Sequence, residues 1–325
     1  HVVIIGGGFG GLRAARALAT APVRITLIDR RNYHLFQPLL YQVASAGLAP
    51  EEIAYPLRGI FRHQRNLTFV MAEVRQINLN ERTLLTSAGP IAYDYLILAT
   101  GSATNTFGLR NVAKYGFGLK DLDEALAIRN HVLRRFELAT QQADPAERQA
   151  MLTFAIVGGG PTGIEYAGAL AELIRLVLRK DYPTLNLSQA RVVLLEATDR
   201  LLGNLPPDLD QAAQKALRQK GVEVWLGAQV RDYDGQRIYL ADGRILPAQT
   251  LIWAAGVQAT ELVQTLPLAL GSQKRVRVLP TLQTPGYPQV FVIGDAAYLE
   301  DEHGQPLPMM APVAMQQGEH AARNI

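Results

Sequence analysis

The sequence predicts an α/β fold made of two similar units, with the second unit inserted into the first. Two glycine-rich loops, GGGFGG at 6–11 and GGGPTG at 158–163, each follow a short apolar run and precede a helix-like run. Each is followed further along the chain by another β-branched run that ends in an acid, Asp29 or Glu196. A buried-type run at 290–296 then offers the first unit its last strand, so the second unit must interrupt the first.

The first unit begins as strand, glycine-rich turn, helix, strand and acid. Residues 2–5 predict a strand, residues 12–20 carry small and apolar side chains at helical spacing, and residues 23–28 predict the strand that the acid closes. A later strand at 95–100 runs into Gly101. This order is typical of the first part of a Rossmann fold.

The second unit repeats the order with one insertion. Strands are predicted at 154–157 and 192–195, and a later strand at 251–256 ends in Ala-Ala-Gly. The acid Glu196 comes later than the usual spacing of about 20 residues after the loop. Residues 180–190, which contain proline and asparagine, predict an inserted loop that accounts for the excess.

These patterns predict two Rossmann-like dinucleotide-binding domains, the first discontinuous at 1–110 and 272–325, the second at 111–271. A glycine-rich loop after a strand presents backbone N–H groups at a helix N-terminus, where the helix dipole favours a pyrophosphate. The candidate cofactor-binding residues are Gly6, Gly8, Phe9, Gly10, Gly11, Asp29, Arg30, Ala99, Thr100, Gly101 and Asp295 in the first domain, and Gly158, Gly160, Pro161, Thr162, Gly163, Glu196, Ala255 and Gly256 in the second.

The composition is that of a globular protein and excludes several functional classes. Hydrophobic residues make up 48% of the chain and charged residues 19%, which is enough apolar side chain for well-buried cores. The net charge of +3 is scattered, so no basic stripe with aromatic neighbours indicates nucleic-acid binding. The basic segment 129–135 predicts the wet face of a helix, with attraction to anionic lipid as the alternative.

The absence of cysteine removes disulfide frameworks, thiol redox centres, iron–sulfur ligation and cysteine zinc sites. The six histidines form no metal-ligand pattern, so no metal is expected. No apolar run approaches the roughly 18 residues of a membrane-spanning helix.

Three acids end strands at candidate cofactor positions. Asp29 and Glu196 are placed to accept hydrogen bonds from a ribose, although either could simply be a polar residue leaving a strand. Glu196 would repel the 2′-phosphate of NADP, so we expect NADH rather than NADPH, with the nearby Arg200 as the observation against it. Asp295 either N-caps a following helix or holds a polyol such as the ribityl chain of a flavin, and the two roles are compatible.

Glu165, two residues after the second loop, has two interpretations. Thr162-x-x-Glu165 fits a capping box, which would make the acid a helix-start device. Pro161 instead suits the first helical position and would place Glu165 a turn further in. The first loop carries Arg13 in the matching place, so the fold itself requires no acid there, and we favour a functional role. Two dinucleotide sites without a thiol then predict a relay from one nucleotide to a bound flavin.

The sequence resembles the type II NADH:quinone oxidoreductases, within the flavoproteins that have two dinucleotide-binding domains. The glycine loops are shared across that superfamily, whereas PLLYQVA, IRNHVLRRFELA and APVAMQQG are more specific to this family. The stretches that carry the resemblance are 6–11, 36–48, 93–108, 119–139, 158–170, 292–297 and 311–318.

The resemblance implies FAD in the first domain and NADH in the second. Hydride would pass from NADH to the flavin N5 and two electrons to a membrane quinone, without proton pumping. By the same resemblance Glu165 and Gln316 are catalytic, and the quinone site comprises Ala311, Ala314, Gln316 and Gln317. The chain departs from the family at Pro312, where a glutamine is usual, and at Gln42, where an acid is frequent.

The resemblance also implies peripheral attachment to the cytoplasmic face of the membrane, through an amphipathic segment expected after residue 325, and allows a homodimer. Two alternatives share the fold: a soluble NADH-dependent reductase of ferredoxin or rubredoxin, and a flavin redox sensor resembling apoptosis-inducing factor. Sulfide:quinone reductases and disulfide reductases also share it, but they rely on cysteines that this chain lacks.

Overall fold

The structure is a computed structural model that describes residues 1–203 and 205–325. The chain forms two compact units, and the predicted α/β class with an inserted second unit is confirmed. The first unit comprises His1–Leu35, Ala54–Ala103 and Val257–Ile325, and the second comprises Phe36–Ile53 and Thr104–Gly256. The domain ends predicted at 110 and 271 differ from these unit ends, and that domain division stays a prediction.

The strands are short and the helices are of varied length. The strands are β1 (Val2–Ile5), β2 (Ile25–Asp29), β3 (Tyr33–Leu35), β4 (Ala54–Pro56), β5 (Leu67–Met71), β6 (Val74–Asn78), β7 (Thr83–Thr86), β8 (Gly89–Ala92), β9 (Tyr95–Leu98), β10 (Ser102–Thr104), β11 (Phe117–Gly118), β12 (Thr153–Val157), β13 (Arg191–Leu195), β14 (Val222–Trp225), β15 (Val230–Tyr233), β16 (Arg237–Leu240), β17 (Ile245–Pro247), β18 (Thr250–Trp253), β19 (Val257–Ala259), β20 (Val276–Arg277), β21 (Gln283–Thr284), β22 (Tyr287–Val292) and β23 (Ala297–Tyr298). The helices are α1 (Phe9–Ala17), α2 (Leu40–Ala44), α3 (Leu57–Ile60), α4 (Arg110–Tyr115), α5 (Leu122–Gln141), α6 (Pro145–Met151), α7 (Pro161–Glu172), α8 (Arg179–Asp181), α9 (Pro207–Gln219), α10 (Glu261–Gln264) and α11 (Ala311–Arg323).

The main sheet of the first unit has the strand order β21-β22-β9-β1-β2-β5. Strand β1 pairs in parallel with β2 and β9, and β22 pairs in parallel with β9. The late run near the chain end therefore does complete the first sheet. All four residues of β1 are buried, as expected for a strand covered on both faces.

The second unit contains a parallel sheet in the order β11-β18-β12-β13-β14. Every residue of β12 and β18 is buried, which matches their continuous apolar sequences. The expected inserted loop at 180–190 is only partly irregular. It follows a π-helical continuation of α7 at Leu173–Leu178, overlaps the short helix α8, and contains a 3₁₀ turn at Leu187–Gln189. No helix among the described residues is both long enough and apolar enough to cross a membrane.

The prediction that segment 129–135 forms a solvent-exposed helix face is only partly right. This segment lies within α5, but not all of its polar side chains face solvent. Arg135 donates to the Gln249 Oε1 at 2.7 Å, and His131 lies 2.9 Å from the Thr250 hydroxyl. The helical spacing turns these two residues toward the sheet while Arg134 remains exposed.

Helices α1 and α11 pack backbone to backbone in the first unit. A Cβ added at Gly318 would overlap the Gly10 carbonyl oxygen, and one at Gly10 would lie 3.1 Å from the Ala314 carbonyl oxygen. An ion pair between Arg13 and Glu319 joins the same two helices. This close packing fixes α11 beside the helix that the first glycine-rich loop begins.

Candidate functional site

The first glycine-rich loop joins β1 to α1. Gly6 has a φ of +107°, and a Cβ there would overlap the Ala99 carbonyl oxygen, so only glycine fits this turn. A Cβ at Gly11 would overlap the Gly6 carbonyl oxygen, which confirms the expected close packing of helix on strand. Helix α1 begins at Phe9, three positions before the expected run, because Gly10 and Gly11 are already helical.

Asp29 closes this loop. Its Oδ2 accepts a hydrogen bond from Gly7 N at 2.6 Å, and its Oδ1 accepts one from Arg31 N at 2.8 Å. The Gly7 carbonyl in turn lies 2.9 Å from Nδ1 of His34. The acid at the end of β2 therefore holds the backbone of the loop, a role that the strand pattern did not reveal.

The second loop repeats this geometry. Gly158 has a φ of +113°, and a Cβ there would lie 2.6 Å from the Ala254 carbonyl oxygen. Glu196 Oε2 accepts a hydrogen bond from Gly159 N at 2.6 Å, as Asp29 does in the first unit. Glu196 Oε1 accepts from Thr198 N at 2.8 Å. Both loops thus carry an acid in the same structural position.

The start of α7 decides between the two interpretations of Glu165. Gly160 is the N-cap, Pro161 is the first helical residue, and no side chain caps the helix. The capping-box interpretation of Thr162 and Glu165 is therefore wrong, because Thr162 already lies inside the helix. Glu165 is solvent-accessible, yet desolvation by the surrounding protein raises the pKa of its carboxyl group.

Asp295 lies in the 3₁₀ turn Gly294–Ala296, directly after β22. Its Oδ2 accepts a hydrogen bond from the Ser102 hydroxyl at 2.5 Å. The expectation that Asp295 N-caps the next helix is wrong, because α11 begins at Ala311 with Met310 as its N-cap. The polyol role that the sequence also allowed for Asp295 stays a prediction.

A buried arginine beside this turn was missed by the sequence reasoning. Arg275 is 2% exposed, and its Nε and Nη1 donate to the carbonyl oxygens of Ala297 and Leu307 at 2.7 and 3.0 Å. Its Nη2 is buried and has no hydrogen-bond partner in the part of the chain that the structure describes. Desolvation lowers the pKa of Arg275, and the charge of Asp295 opposes that shift. The sequence RVRVL at 275–279 carries two arginines, and nothing in it distinguishes the buried Arg275 from the exposed Arg277.

The expected quinone-site residues of α11 face different ways. Ala314 is buried, and its Cβ would lie 3.1 Å from a Cβ added at Gly294. Gln317 is 5% exposed and its Oε1 accepts a hydrogen bond from Gly294 N, whereas Gln316 is exposed. Pro312 occupies the first turn of α11, where its missing N–H is no loss.

The remaining expected residues lie at the same sheet edges as the loops. Ala99 follows β9, and Ala254, which was not among the predicted residues, follows β18; their carbonyl oxygens lie where a Cβ at Gly6 or Gly158 would stand. Ala255 is exposed, and Gly256 accepts a hydrogen bond from Asn105 N at 3.0 Å. Within residues 1–203 and 205–325 no three His, Asp or Glu side chains come together to hold a metal ion.

Two such units, each with a loop, a helix N-terminus and a strand-ending acid, define an oxidoreductase with two dinucleotide-binding domains. A family model described as pyridine nucleotide-disulphide oxidoreductase matches residues 1–318. The type II NADH:quinone oxidoreductase Ndh of Mycobacterium tuberculosis is 40% identical over 337 residues, covering 100% of this chain and 72% of that protein. NdhA of the same organism is 42% identical over 316 residues, covering 92% of this chain and 66% of that protein.

A solved structure of NDH2 from Plasmodium falciparum in complex with NADH has a TM-score of 0.92 and 22% identity, covering 99% of this chain and 82% of that one. The chain belongs to the pyridine nucleotide-disulphide oxidoreductase family and, within it, to the type II NADH:quinone oxidoreductases. The expected enzyme class is confirmed, as are FAD and NADH as its cofactor and reductant. The roles of the individual site residues stay predictions.

Proposed function

We propose that this protein oxidises NADH through FAD and passes two electrons to a membrane quinone, without pumping protons. The observation that carries the proposal is the duplicated loop, in which Asp29 and Glu196 each accept a hydrogen bond from a glycine N–H at 2.6 Å. One chain thus holds two sites of the kind that binds a dinucleotide. FAD held by the first unit would supply the redox chemistry that links hydride from NADH to the two-electron reduction of quinone.

The first unit fits FAD. A Cβ at Gly8 would meet open space, so the N-terminus of α1 is accessible to a pyrophosphate. Asp29 would accept hydrogen bonds from the adenosine ribose and Asp295 from the ribityl chain. Nε2 of Gln317 is buried and has no hydrogen-bond partner among the described residues, as expected of a donor that meets a bound cofactor.

The second unit fits NADH rather than NADPH. A Cβ added at Gly160 would meet no other atom, so the N-terminus of α7 is accessible to a pyrophosphate. Glu196 follows the last residue of β13, the strand next to β12. The carboxylate of Glu196 would repel a 2′-phosphate. Arg200 Nη2 donates to the carbonyl oxygens of Leu202 and Leu205, which directs this nitrogen toward the backbone.

Glu165 would hold one of the protons that quinone reduction consumes. Its raised pKa keeps the carboxyl group protonated closer to neutral pH than a free glutamate. Gln316 would contact the quinone from the exposed face of α11, whereas Ala311 and the buried Ala314 would line the quinone path from a different side of the helix. The protein would then be a peripheral enzyme on the cytoplasmic face of the membrane, where its quinone resides.

An anaerobic titration of the purified flavoprotein tests the proposal. NADH should bleach the flavin absorbance, and a short-chain quinone should restore it promptly. Bleaching that no quinone reverses but ferredoxin or rubredoxin does would replace the quinone with a protein acceptor. A reduced flavin that persists with every acceptor would instead identify a redox sensor.

A further inference from the structure

Phe107 occupies an unfavourable position in two respects. Its φ is +51°, which is uncommon for any residue other than glycine and marks strain for a bulky one. Its side chain is 63% exposed, although phenylalanine is among the residues most often buried. Strained residues that persist in a fold cluster at ligand-binding sites, so the position calls for a functional explanation.

Hydrogen bonds hold the Phe107 turn against the end of β18. Phe107 N donates to Asn105 Oδ1 at 2.9 Å, and Asn105 N donates to the Gly256 carbonyl oxygen at 3.0 Å. The indole N–H of Trp253 donates to the Asn105 carbonyl oxygen at 2.8 Å. The turn is therefore fixed on both sides, and the ring is presented rather than left loose.

The Phe107 ring lies directly over Gly256. A Cβ added at Gly256 would be 2.8 Å from Cζ of the ring, so the ring tip needs glycine beneath it. The ring also meets Trp253 edge to face, with 6.3 Å between ring centroids. One part of the ring is thus supported by protein, and the rest faces outward.

The strand order of the second unit indicates where the Phe107 ring would lie relative to a dinucleotide bound at the second loop. Strand β12, which leads into the second glycine-rich loop, lies between β13 and β18. Glu196 ends β13 on one side, and the Phe107 ring covers the end of β18 on the other. A dinucleotide with its adenosine ribose at Glu196 and its pyrophosphate at the loop must extend its nicotinamide half toward β18.

We propose that Phe107 is a binding residue for the nicotinamide half of NADH, providing an aromatic surface against which that ring packs. The inference rests on the proposed function of the second unit as the NADH site. An aromatic face attracts a flat ring by offset or edge-to-face contact. The packing would orient the nicotinamide, and Phe107 itself would take no part in the chemical step.

Binding of two probes to the oxidised holoenzyme tests this role. NAD⁺ carries the nicotinamide, whereas ADP-ribose has the same adenosine and pyrophosphate but lacks that ring. Phe107→Leu should weaken NAD⁺ binding by about 3- to 10-fold, from the usual worth of an aromatic contact, and change ADP-ribose binding less than about twofold. Phe107→Tyr should bind both probes as the unchanged protein does.

Two further variants sharpen the test. Gly256→Ala puts a methyl group against the ring tip and should also weaken NAD⁺ more than ADP-ribose. Tyr115→Leu is the matched control, because Tyr115 is a 41% exposed aromatic that packs near Gly235, and it should alter neither affinity.

The outcomes separate the inference from the function on which it rests. Equal weakening of both probes by Phe107→Leu would make the ring a structural support of the site and overturn the inference. Unchanged binding of both would overturn it as well. An unaltered protein that binds neither probe, and whose flavin NADH does not bleach, would overturn the proposed function together with the inference.

Discussion

Gln317 Oε1 accepts a hydrogen bond from Gly294 N at 2.6 Å, which ties α11 to the turn that carries Asp295. Gln317 is buried while its neighbour Gln316 is exposed, so two adjacent glutamines have separate tasks. Gln317 holds the turn through its Oε1, and its buried Nε2 has no hydrogen-bond partner among the described residues, whereas Gln316 faces outward. These tasks are separable by mutation.

Gln316→Ala should slow reoxidation of the reduced flavin by quinone and leave flavin reduction by NADH nearly unchanged. Gln317→Leu should instead lower the free energy of unfolding by about 1–3 kcal/mol, because the partly buried Gly294 N is left without its acceptor. Stopped-flow absorbance measures the two half-reactions, and urea denaturation measures the stability. Equal slowing of both half-reactions by Gln316→Ala would contradict its assignment to the quinone.

Glu165→Gln should remove a pH dependence from quinone reduction. Desolvation raises the pKa of Glu165, so in the unaltered protein the proton is lost only above the ordinary range of glutamate. The rate of flavin reoxidation by quinone should fall as the pH rises through that raised pKa, and the variant should be slower with no such decline. Rates measured across pH 4–9 decide the matter, and parallel profiles would remove Glu165 from proton delivery.

Glu196→Gln should increase the use of NADPH relative to NADH by about 10-fold. The amide oxygen of glutamine can still accept the hydrogen bond from Gly159 N, so the loop is retained while the charge that repels a 2′-phosphate is lost. The ratio of kcat/KM for the two nucleotides is the measurement. Glu223→Gln is a suitable control, since Glu223 pairs with Arg191 on the same sheet. An unchanged ratio in Glu196→Gln would show that the carboxylate does not select the nucleotide.

His131 should make the protein sensitive to acid. Burial, and then the charge of Arg135, lowers the pKa of His131 to about 4, and its Nε2 accepts a hydrogen bond from Arg135 Nε at 3.3 Å. Because the unfolded histidine has a pKa near 6.5, the unfolded chain binds more protons, and stability falls as the pH drops from about 6.5 toward 4. His131→Gln should lose less in melting temperature between pH 7 and pH 4.5. His303→Gln, at an exposed histidine, should behave as the unaltered protein does. An equal loss in His131→Gln would contradict the assignment.

The sequence predicted those elements whose structure depends on a local pattern of residues. The runs that end at Ile5 and Val157 are largely apolar and are followed directly by glycines, so the two central strands and their loops could be predicted. The start of α1 was placed late because Gly10 and Gly11 resemble loop residues, although close packing makes glycine necessary inside that helix. The hydrogen bond of Asp29 to Gly7 N in the loop joins residues 22 positions apart, which no local pattern reveals.

Arg275 should stabilise the turn that carries Asp295. Arg275→Met removes two hydrogen bonds to carbonyl oxygens and a buried positive charge that interacts electrostatically with Asp295. The substitution should lower the free energy of unfolding by about 3 kcal/mol and weaken FAD retention. Arg275→Lys keeps the charge, but one ammonium cannot reproduce the planar guanidinium that reaches both carbonyls, so it should recover only part of the loss.

The coupling between the two charges is measured by a double-mutant cycle with Asp295→Asn. Removing Arg275 takes away its favourable interaction with the Asp295 carboxylate, so Arg275→Met should cost less in the background of Asp295→Asn than in the unaltered protein. Urea denaturation and the flavin content of the purified proteins give the two readouts. Strictly additive losses would mean that Arg275 acts only through Ala297 and Leu307 and is not coupled to the carboxylate.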